Sequence, residues 1–437
     1  MNPTIYALAS AAGRAGVAVW RLSGGRAAEV LTTLTGRPQP APRRATRVRL
    51  VDPGSGEIID DGLAVWFPAP RSFTGEDVVE LHLHGGRAVA QALAESLGRL
   101  GLRPAEPGEF SRRAFLNGKM DLTQAEAIAD LVDAETAAQR KQALRQMDGG
   151  LARLAESWRE QVIGLLARLE AEIDFADEDI PAGLMEQVAG GVAALAGELA
   201  THLADNHRGE RLRDGIHIAI LGAPNAGKSS LLNRLAGRDA AIVSAQAGTT
   251  RDVIEVHLDL GGWPVVLADT AGLRDAACDV EAEGVRRALA RAEAADLKLA
   301  VLDGATLDSA TLAVIDDATL VVANKADIGA CPDRVAGRPV LAVSARTGQG
   351  IEAMVRALED EVAARFAVTS APMLTRARHR AAVEECREAL VRFDPRAGAE
   401  LAAEDLRLAA RAIGRISGRI EVDDILDVIF REFCIGK

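Results

Sequence analysis

The run Gly222-Ala223-Pro224-Asn225-Ala226-Gly227-Lys228-Ser229 fits G-x-x-x-x-G-K-[ST], a spacing suited to holding phosphate. Its glycines let backbone N–H groups turn inward toward phosphate oxygens, and the helix that follows adds its N-terminal dipole. Lys228 is placed to reach the β- and γ-phosphates, and Ser229 to offer a hydroxyl to Mg2+, with Ser230 beginning the helix. Asp269-Thr270-Ala271-Gly272 can hold Mg2+ through water at Asp269 and sense the γ-phosphate through a glycine N–H. Between these motifs lies Gly248-Thr249-Thr250, where Thr250 is the natural switch threonine for Mg2+. Asn324-Lys325-Ala326-Asp327 supplies a carboxylate that accepts from guanine N1–H and the exocyclic amine. Adenine offers no matching pair of donors. The Lys325 stem can cover the base, and Ser344-Ala345-Arg346 can present backbone N–H to the guanine oxygen. Four motifs in this order predict a GTP-binding, GTP-hydrolysing domain that uses Mg2+.

The residues for the hydrolytic step are less complete. Leu273 stands where many such enzymes carry a glutamine that orients the attacking water, and leucine cannot do this. Asp275, Asp279, Glu281 and Glu283 are the nearby acids, and position alone does not choose among them. No arginine can be assigned to neutralise charge in the transition state.

These motifs need strands to carry them. Ile216 to Leu221, Val265 to Ala268, Leu299 to Leu302, Leu320 to Ala323 and Val340 to Val343 are short continuous apolar runs, several separated by helical stretches. That pattern predicts a doubly wound parallel sheet with ligand motifs at the strand ends. A different texture precedes it. Gly16 to Trp20, Leu63 to Phe67 and Val78 to His84 read as strands, with a helix over Arg87 to Leu100, giving a separate α+β domain. Residues 122–203 and those after Ala367 are rich in Ala, Leu, Glu and Arg at helical spacing. The expected domains are 1–118 (α+β), 119–212 (helical), 213–367 (nucleotide-binding α/β) and 368–437 (helical again). The two helical stretches are expected to join, with the α/β domain inserted between them.

Composition narrows the classes further. The 437-residue chain carries a formal charge of -12, which argues against non-specific coating of nucleic acid. Any nucleic-acid contact must then use a confined basic patch. Arg407, Arg411, Arg415 and Arg419 recur every four residues, and Arg376, Arg378, His379 and Arg380 form a second cluster. Each reads either as a solvated helix face or as a contact for RNA phosphates. No apolar run is long enough to span a membrane, and the N-terminus lacks a signal-peptide pattern. A cytoplasmic, unprocessed chain is therefore expected. Cys278, Cys331, Cys386 and Cys434 are far apart and suggest neither a disulfide framework nor a zinc site. His82 and His84 share one strand face, where packing or hydrogen bonding is expected rather than metal binding.

Over essentially its whole length the chain resembles the MnmE (TrmE) family of tRNA-modification GTPases, within the TrmE-Era-EngA-like GTPases. Beside the nucleotide motifs, the likeness rests on Ser72-Phe73-Thr74-Gly75-Glu76-Asp77 and on Glu80-Leu81-His82-Leu83-His84-Gly85-Gly86. It continues in Pro107-Gly108-Glu109-Phe110-Ser111, in Phe115 to Leu122, and in the terminus Phe433-Cys434-Ile435-Gly436-Lys437. The resemblance implies a Ras-like GTPase domain inserted into a helical domain. It also implies an N-terminal domain that dimerises and binds 5-formyltetrahydrofolate or a related one-carbon folate through Arg21, Glu80, Lys119 and Lys437. It implies a K+ ion near the phosphates, held by Asn225 and by Ser244, Gln246 and Thr249 of the loop Ser244-Ala245-Gln246-Ala247-Gly248-Thr249-Thr250. Ser244 and Gln246 depart from the family's threonine and aliphatic residue, which matters little if backbone carbonyls are the ligands. Glu281 matches the acid that orients water, and Cys434 a tail cysteine needed for modification. The implied partners are a second copy, an FAD-containing protein of the MnmG (GidA) family, and tRNA. The implied product is a (carboxymethyl)aminomethyl-type group at C5 of the wobble uridine. The nucleotide motifs by themselves fit equally a GTP-operated switch in ribosome assembly with no modification chemistry.

Overall fold

The structure, a computed structural model, describes residues 3–174, 183–205, 207–238, 255–269, 293–303, 309–366, 373–420, 426, 429–431, 433–434 and 436. The chain divides into two compact units. One comprises residues 1–129, 147–164 and 407–437, and the other residues 130–146 and 165–406.

The first unit is built on a six-stranded sheet in the order β3-β4-β5-β2-β1-β6. Its strands are β1 (Ile5–Leu8), β2 (Ala15–Ser23), β3 (Thr46–Val51), β4 (Ile58–Phe67), β5 (Val78–Gly85) and β6 (Arg103–Pro104). All pairs are antiparallel except β1 with β6. Alternation sorts the side chains. Trp20 and Leu22 of β2 and Val79, Leu81 and Leu83 of β5 enter one core with Val30, Leu31 and Leu34 of α1 (Ala27–Thr35) and Leu93 and Leu97 of α2 (Arg87–Arg99). Arg21, Glu80, His82 and His84 consequently share the opposite face. His84 Nδ1 lies 2.9 Å from the Asp60 carboxylate, the hydrogen-bonding role expected for that histidine.

Helices α3 (Glu109–Leu116) and α4 (Leu122–Asp133) follow. Leu122 and Ala125 of α4 pack against Leu426, Ile429, Phe430 and Phe433, so these residues of the tail are held by apolar contact. Beyond them Gly436 has φ +102°, and a Cβ there would fall 2.3 Å from the Leu8 carbonyl oxygen of β1. Only glycine fits so close to the strand end.

The second unit holds a seven-stranded sheet, order β12-β13-β11-β10-β7-β9-β8. Its strands are β7 (Ile216–Leu221), β8 (Glu255–Leu260), β9 (Trp263–Asp269), β10 (Leu297–Asp303), β11 (Thr319–Asn324), β12 (Arg334–Val335) and β13 (Arg338–Ala342). The five apolar runs read from the sequence are the parallel strands β9, β7, β10, β11 and β13. The outer strands β8 and β12 pair antiparallel, so the parallel sheet has two antiparallel edges. Ile218, Ile220, Leu267, Leu299 and Val322 form the core with Leu231 and Leu235, and with Met354 and Leu358.

The remaining helices are α5 (Ala137–Met147), α6 (Gly150–Asp174), α7 (Leu184–Leu203), α8 (Arg208–Asp214), α9 (Lys228–Ala236), α10 (Ser309–Ala313), α11 (Ile351–Phe366), α12 (Ala377–Arg392) and α13 (Ala399–Ser417). The cluster at the start of α12 is not a phosphate-binding surface. His379 is fully buried, Arg376 gives its guanidinium to Asp130 at 2.7 Å, and Arg380 binds Asp205 at 2.7 Å and Glu210 at 3.3 Å. Buried guanidinium groups need carboxylate partners, and these arginines already have theirs. The expected row on α13 is only partly a helix face: Arg411 is exposed on it and Arg407 and Arg415 are half-buried, while Arg419 lies beyond the helix end at Ser417, exposed and 3.2 Å from Glu156.

Asp130 also accepts from Arg213 Nε at 3.1 Å, joining α8 to α12 just before β7 begins. Removing one member of a buried ion pair strands the other charge. Asp130→Ala is expected to cost about 3 kcal/mol in urea unfolding of this unit, and Asp130→Asn less. An unchanged midpoint for Asp130→Ala would show that the cluster contributes nothing to stability.

Candidate functional site

At the C-terminal end of β7 the chain turns through residues 222–227 into α9, whose first residue is Lys228. Asn225 (φ +65°) and Gly227 (φ +92°) take left-handed backbone conformations that shape this loop. Lys228 is 6% exposed, and its ammonium donates to Gly222 O at 2.6 Å and Ala223 O at 2.9 Å. The charge thus sits inside the loop's curve, where an anionic phosphate chain would face it. Ser229 and Ser230 follow on the exposed side of the helix start.

Asn324 joins the loop to the far strands. Its Nδ2 donates to Ala226 O at 2.9 Å, and its Oδ1 accepts from Ala345 N at 3.0 Å. A Cβ at residue 227 would stand 2.1 Å from Asn324 Nδ2, so Gly227 is needed for contact as well as for φ. Asp327 Oδ1 accepts from Ser344 Oγ at 2.6 Å, and Oδ2 accepts from the Arg346 fork, with Nε at 3.0 Å. The Ser344 hydroxyl first, then the Arg346 guanidinium, hold its carboxyl below the ordinary aspartate range. It is therefore an ionised, acceptor-only group at neutral pH. Lys325 Nζ pairs with Asp303 at the end of β10 at 2.8 Å.

Asp269 ends β9, where its backbone is registered beside Ile220 of β7, next to the phosphate-type loop. The oxygen donors Ser229 and Asp269 suit Mg2+, a hard cation that prefers oxygen. The Asp269 side chain, Ser244, Ala245, Gln246, Ala247, Gly248, Thr249, Thr250, Thr270, Ala271, Gly272, Glu281, Cys278 and Lys437 lie outside the described residues.

A second constellation sits in the first unit. Arg21 of β2 meets Glu80 of β5 across the sheet, with Nη2 and Nε 2.9 and 3.1 Å from Oε1. Its guanidinium lies 5.2 Å from the Phe73 ring centroid and 5.8 Å from that of Phe110. Arg21 Nη1 reaches Gly436 O at 3.5 Å, so the tail joins the same place. Arg113, nearly buried, bridges Glu76 (2.9 Å) and Glu109 (2.8 Å) and braces the segments that carry Phe73 and Phe110. Lys119 Nζ donates to Pro70 O at 3.0 Å.

Phe73, Phe110 and Asp303 were not singled out as site residues from the sequence. Aromatics make up only 3% of the chain, and two of the few fall inside the motifs carried by residues 72–77 and 107–111. That scarcity was the available signal. Asp303 had a weaker one, its place at a strand end.

Cys434 is exposed, whereas Cys386 is fully buried and burial pushes its thiol up to about 12. Alkylation of the native protein followed by peptide mapping is expected to modify Cys434 and spare Cys386 until denaturant is added, because the thiolate is the nucleophile. Native labelling of Cys386 would contradict this packing.

A parallel sheet that delivers a buried lysine, a strand-end aspartate and an Asn-Lys-Ala-Asp carboxylate to one edge defines a P-loop GTP hydrolase. Family comparison agrees: residues 4–119 match the description "GTP-binding protein TrmE N-terminus", and residues 122–434 match "MnmE helical domain". Proteins named "tRNA modification GTPase MnmE" are similar from end to end. That of Paramagnetospirillum magneticum is 70% identical, covering 100% of both chains. That of Rhodospirillum rubrum is 60% identical over 99% of each, and that of Parvibaculum lavamentivorans 58% identical over 99% of this chain and 100% of its own. The chain belongs to the MnmE family.

Proposed function

We propose that this GTPase works in tRNA modification at C5 of the wobble uridine, together with an FAD-containing protein of the MnmG (GidA) family. Folate supplies the one-carbon unit, and GTP hydrolysis drives conformational change rather than the carbon chemistry. The observation that carries the reading is the meeting of Arg21, Glu80 and the penultimate Gly436 in a chain that also brings Lys228, Asn324 and Asp327 to its strand ends. A GTP-operated switch has no use for the first of these. The relatives' shared name and their end-to-end identity add support.

In this reading residues 1–118 form the folate and dimer domain, and residues 213–367 the GTPase domain, inserted between helical segments 119–212 and 368–437. Asn225 through Ser230, residues 244–250 and 269–272, Asn324, Lys325, Asp327 and Ser344 through Arg346 bind GTP. Ser229, Thr250 and Asp269 would hold Mg2+, which neutralises phosphate charge when bound. Asn225, Ser244, Gln246 and Thr249 would hold K+, which supplies the positive charge that an arginine gives in other GTPases. Glu281 orients the attacking water. Arg21, Glu80, Lys119 and Lys437 hold folate, and Cys434 acts beside it. The Phe73 and Phe110 rings beside the Arg21–Glu80 pair support a planar ligand there. Arg411, exposed on α13, and Arg419, exposed just beyond its end, are the proposed contact for tRNA phosphates, since Arg376 and Arg380 are held by carboxylates. The protein works as a homodimer in the cytoplasm.

The test is GTP hydrolysis in K+ against Na+ at matched ionic strength, with Glu281→Ala alongside. Strong stimulation by K+, and loss of hydrolysis without loss of nucleotide affinity in the variant, are expected. Equal rates in the two salts would remove the K+ site, and full activity of Glu281→Ala would remove that residue's role.

A further inference from the structure

Asp327 is the group proposed above to read guanine, and Arg346 already occupies it. The Arg346 fork lies on Oδ2, with Nε at 3.0 Å, while Ser344 Oγ holds Oδ1 at 2.6 Å. A guanidinium and the N1–H/N2–H edge of guanine present the same thing to a carboxylate: two nearly parallel N–H donors in one plane. One carboxylate whose other oxygen is held by a hydroxyl cannot serve both forks at once. The exposures of the two partners point the same way. Asp327's side chain is 11% exposed and Arg346's 75%. Withdrawing Arg346 returns it easily to water, whereas withdrawing it without a replacement leaves Oδ2 of Asp327 without its side-chain donors.

We infer that Arg346 is a built-in stand-in for the guanine edge, closing the base site when no nucleotide is bound and competing with GTP and GDP for Asp327. The inference rests on the guanine-reading role of Asp327. Neighbouring contacts keep the closed arrangement ready. Asn324 Oδ1 fixes Ala345 N at 3.0 Å, immediately before Arg346, and Thr347 N donates to Ser344 Oγ at 3.1 Å immediately after it. The backbone on both sides of Arg346 is thus pinned, and only its side chain has to swing. Binding must wait for the open fraction of sites, so apparent affinity falls by that fraction. An ion pair with so exposed an arginine is weak, which makes the effect about two- to fivefold. It should appear in the association rate, because the bound state no longer contains the Arg346–Asp327 pair.

The experiment is stopped-flow binding of fluorescent mant-GDP to the full-length protein with Mg2+, comparing wild type with Arg346→Ala. Association about two- to fivefold faster, a dissociation constant lower by the same factor and an unchanged dissociation rate are expected. Unchanged or weaker binding by Arg346→Ala would overturn the inference, since the side chain would then be neutral or a direct contact for bound nucleotide. Asp327→Asn separates this from failure of the guanine reading. If Asp327→Asn binds GDP as tightly as wild type, the guanine reading itself is wrong. If it binds GDP poorly and xanthosine diphosphate well, the site is confirmed. In that background Arg346→Ala should then have no effect on xanthosine diphosphate binding, because the anionic partner is gone. A gain of the same size there would assign the effect to something other than competition for Asp327 and would also overturn the stand-in.

Discussion

Asp327→Asn is expected to move base preference from guanine to xanthine. Guanine donates from N1–H and from its amino group, and an ionised carboxylate accepts both. Hydrogen bonds to a charged group are worth about 1.5–3 kcal/mol each, so losing their match should weaken GDP binding on the order of 100-fold or more. Xanthine carries a carbonyl in place of the amine, and an asparagine amide offers one acceptor and one donor to fit it. Competition between GDP and xanthosine diphosphate for the full-length variant measures the change directly. The site favours a clean result. Asp327 is held by Ser344 Oγ at 2.6 Å, a contact that an amide oxygen can keep, so the substitution changes the recognised edge without dislodging the loop. Undiminished preference for guanine would mean that the base is read elsewhere.

Lys228→Ala should abolish hydrolysis almost completely. The ammonium is 6% exposed and held by two loop carbonyls, so it meets phosphate at close range with little bulk water between. Charge stabilisation in such a setting is worth far more than in solution, and removing one such donor typically costs on the order of 100- to 1000-fold in rate. Single-turnover hydrolysis at saturating GTP isolates that loss from weaker binding. A rate within a few-fold of wild type would show that Lys228 is not at the phosphates. The variant also leaves the Gly222 and Ala223 carbonyls without their ammonium donor, so loop stability should be checked by thermal denaturation in parallel.

Much of the GTPase unit was legible because its strands are buried on both faces and therefore read as continuous apolar runs. Ile216 to Leu221 and Leu320 to Ala323 could be placed within a residue or two, and the motifs at their ends followed. The edge strand β8, Glu255–Leu260, carries Glu255, His257 and Asp259 between its apolar residues and left no such run. In the first unit β3 was hidden in the same way. Arg47 and Arg49 point outward between buried Val48 and Leu50, so the segment looks basic rather than strand-like.

The arginines before and within α12 were misread for a different reason. Spacing shows that Arg376 and Arg380 are close to each other, but not that Asp130 and Asp205 arrive from 246 and 175 residues away. Long-range pairing decides whether a basic cluster is a surface or a structural brace, and periodicity carries no record of it. The same limit explains Arg21. Its partners Glu80, Phe73 and Phe110 come from three separate segments, and the tail from a fourth.

The most direct measurement of the central claim is nucleoside analysis of tRNA from a strain lacking this chain, complemented in turn by the intact chain, Lys228→Ala and Cys434→Ser. Loss of the modified wobble uridine, restored by the intact chain but by neither variant, is expected if GTP hydrolysis and the tail that reaches Arg21 serve one reaction. Normal modification in the strain that lacks the chain would contradict that claim and leave a GTPase with a different task.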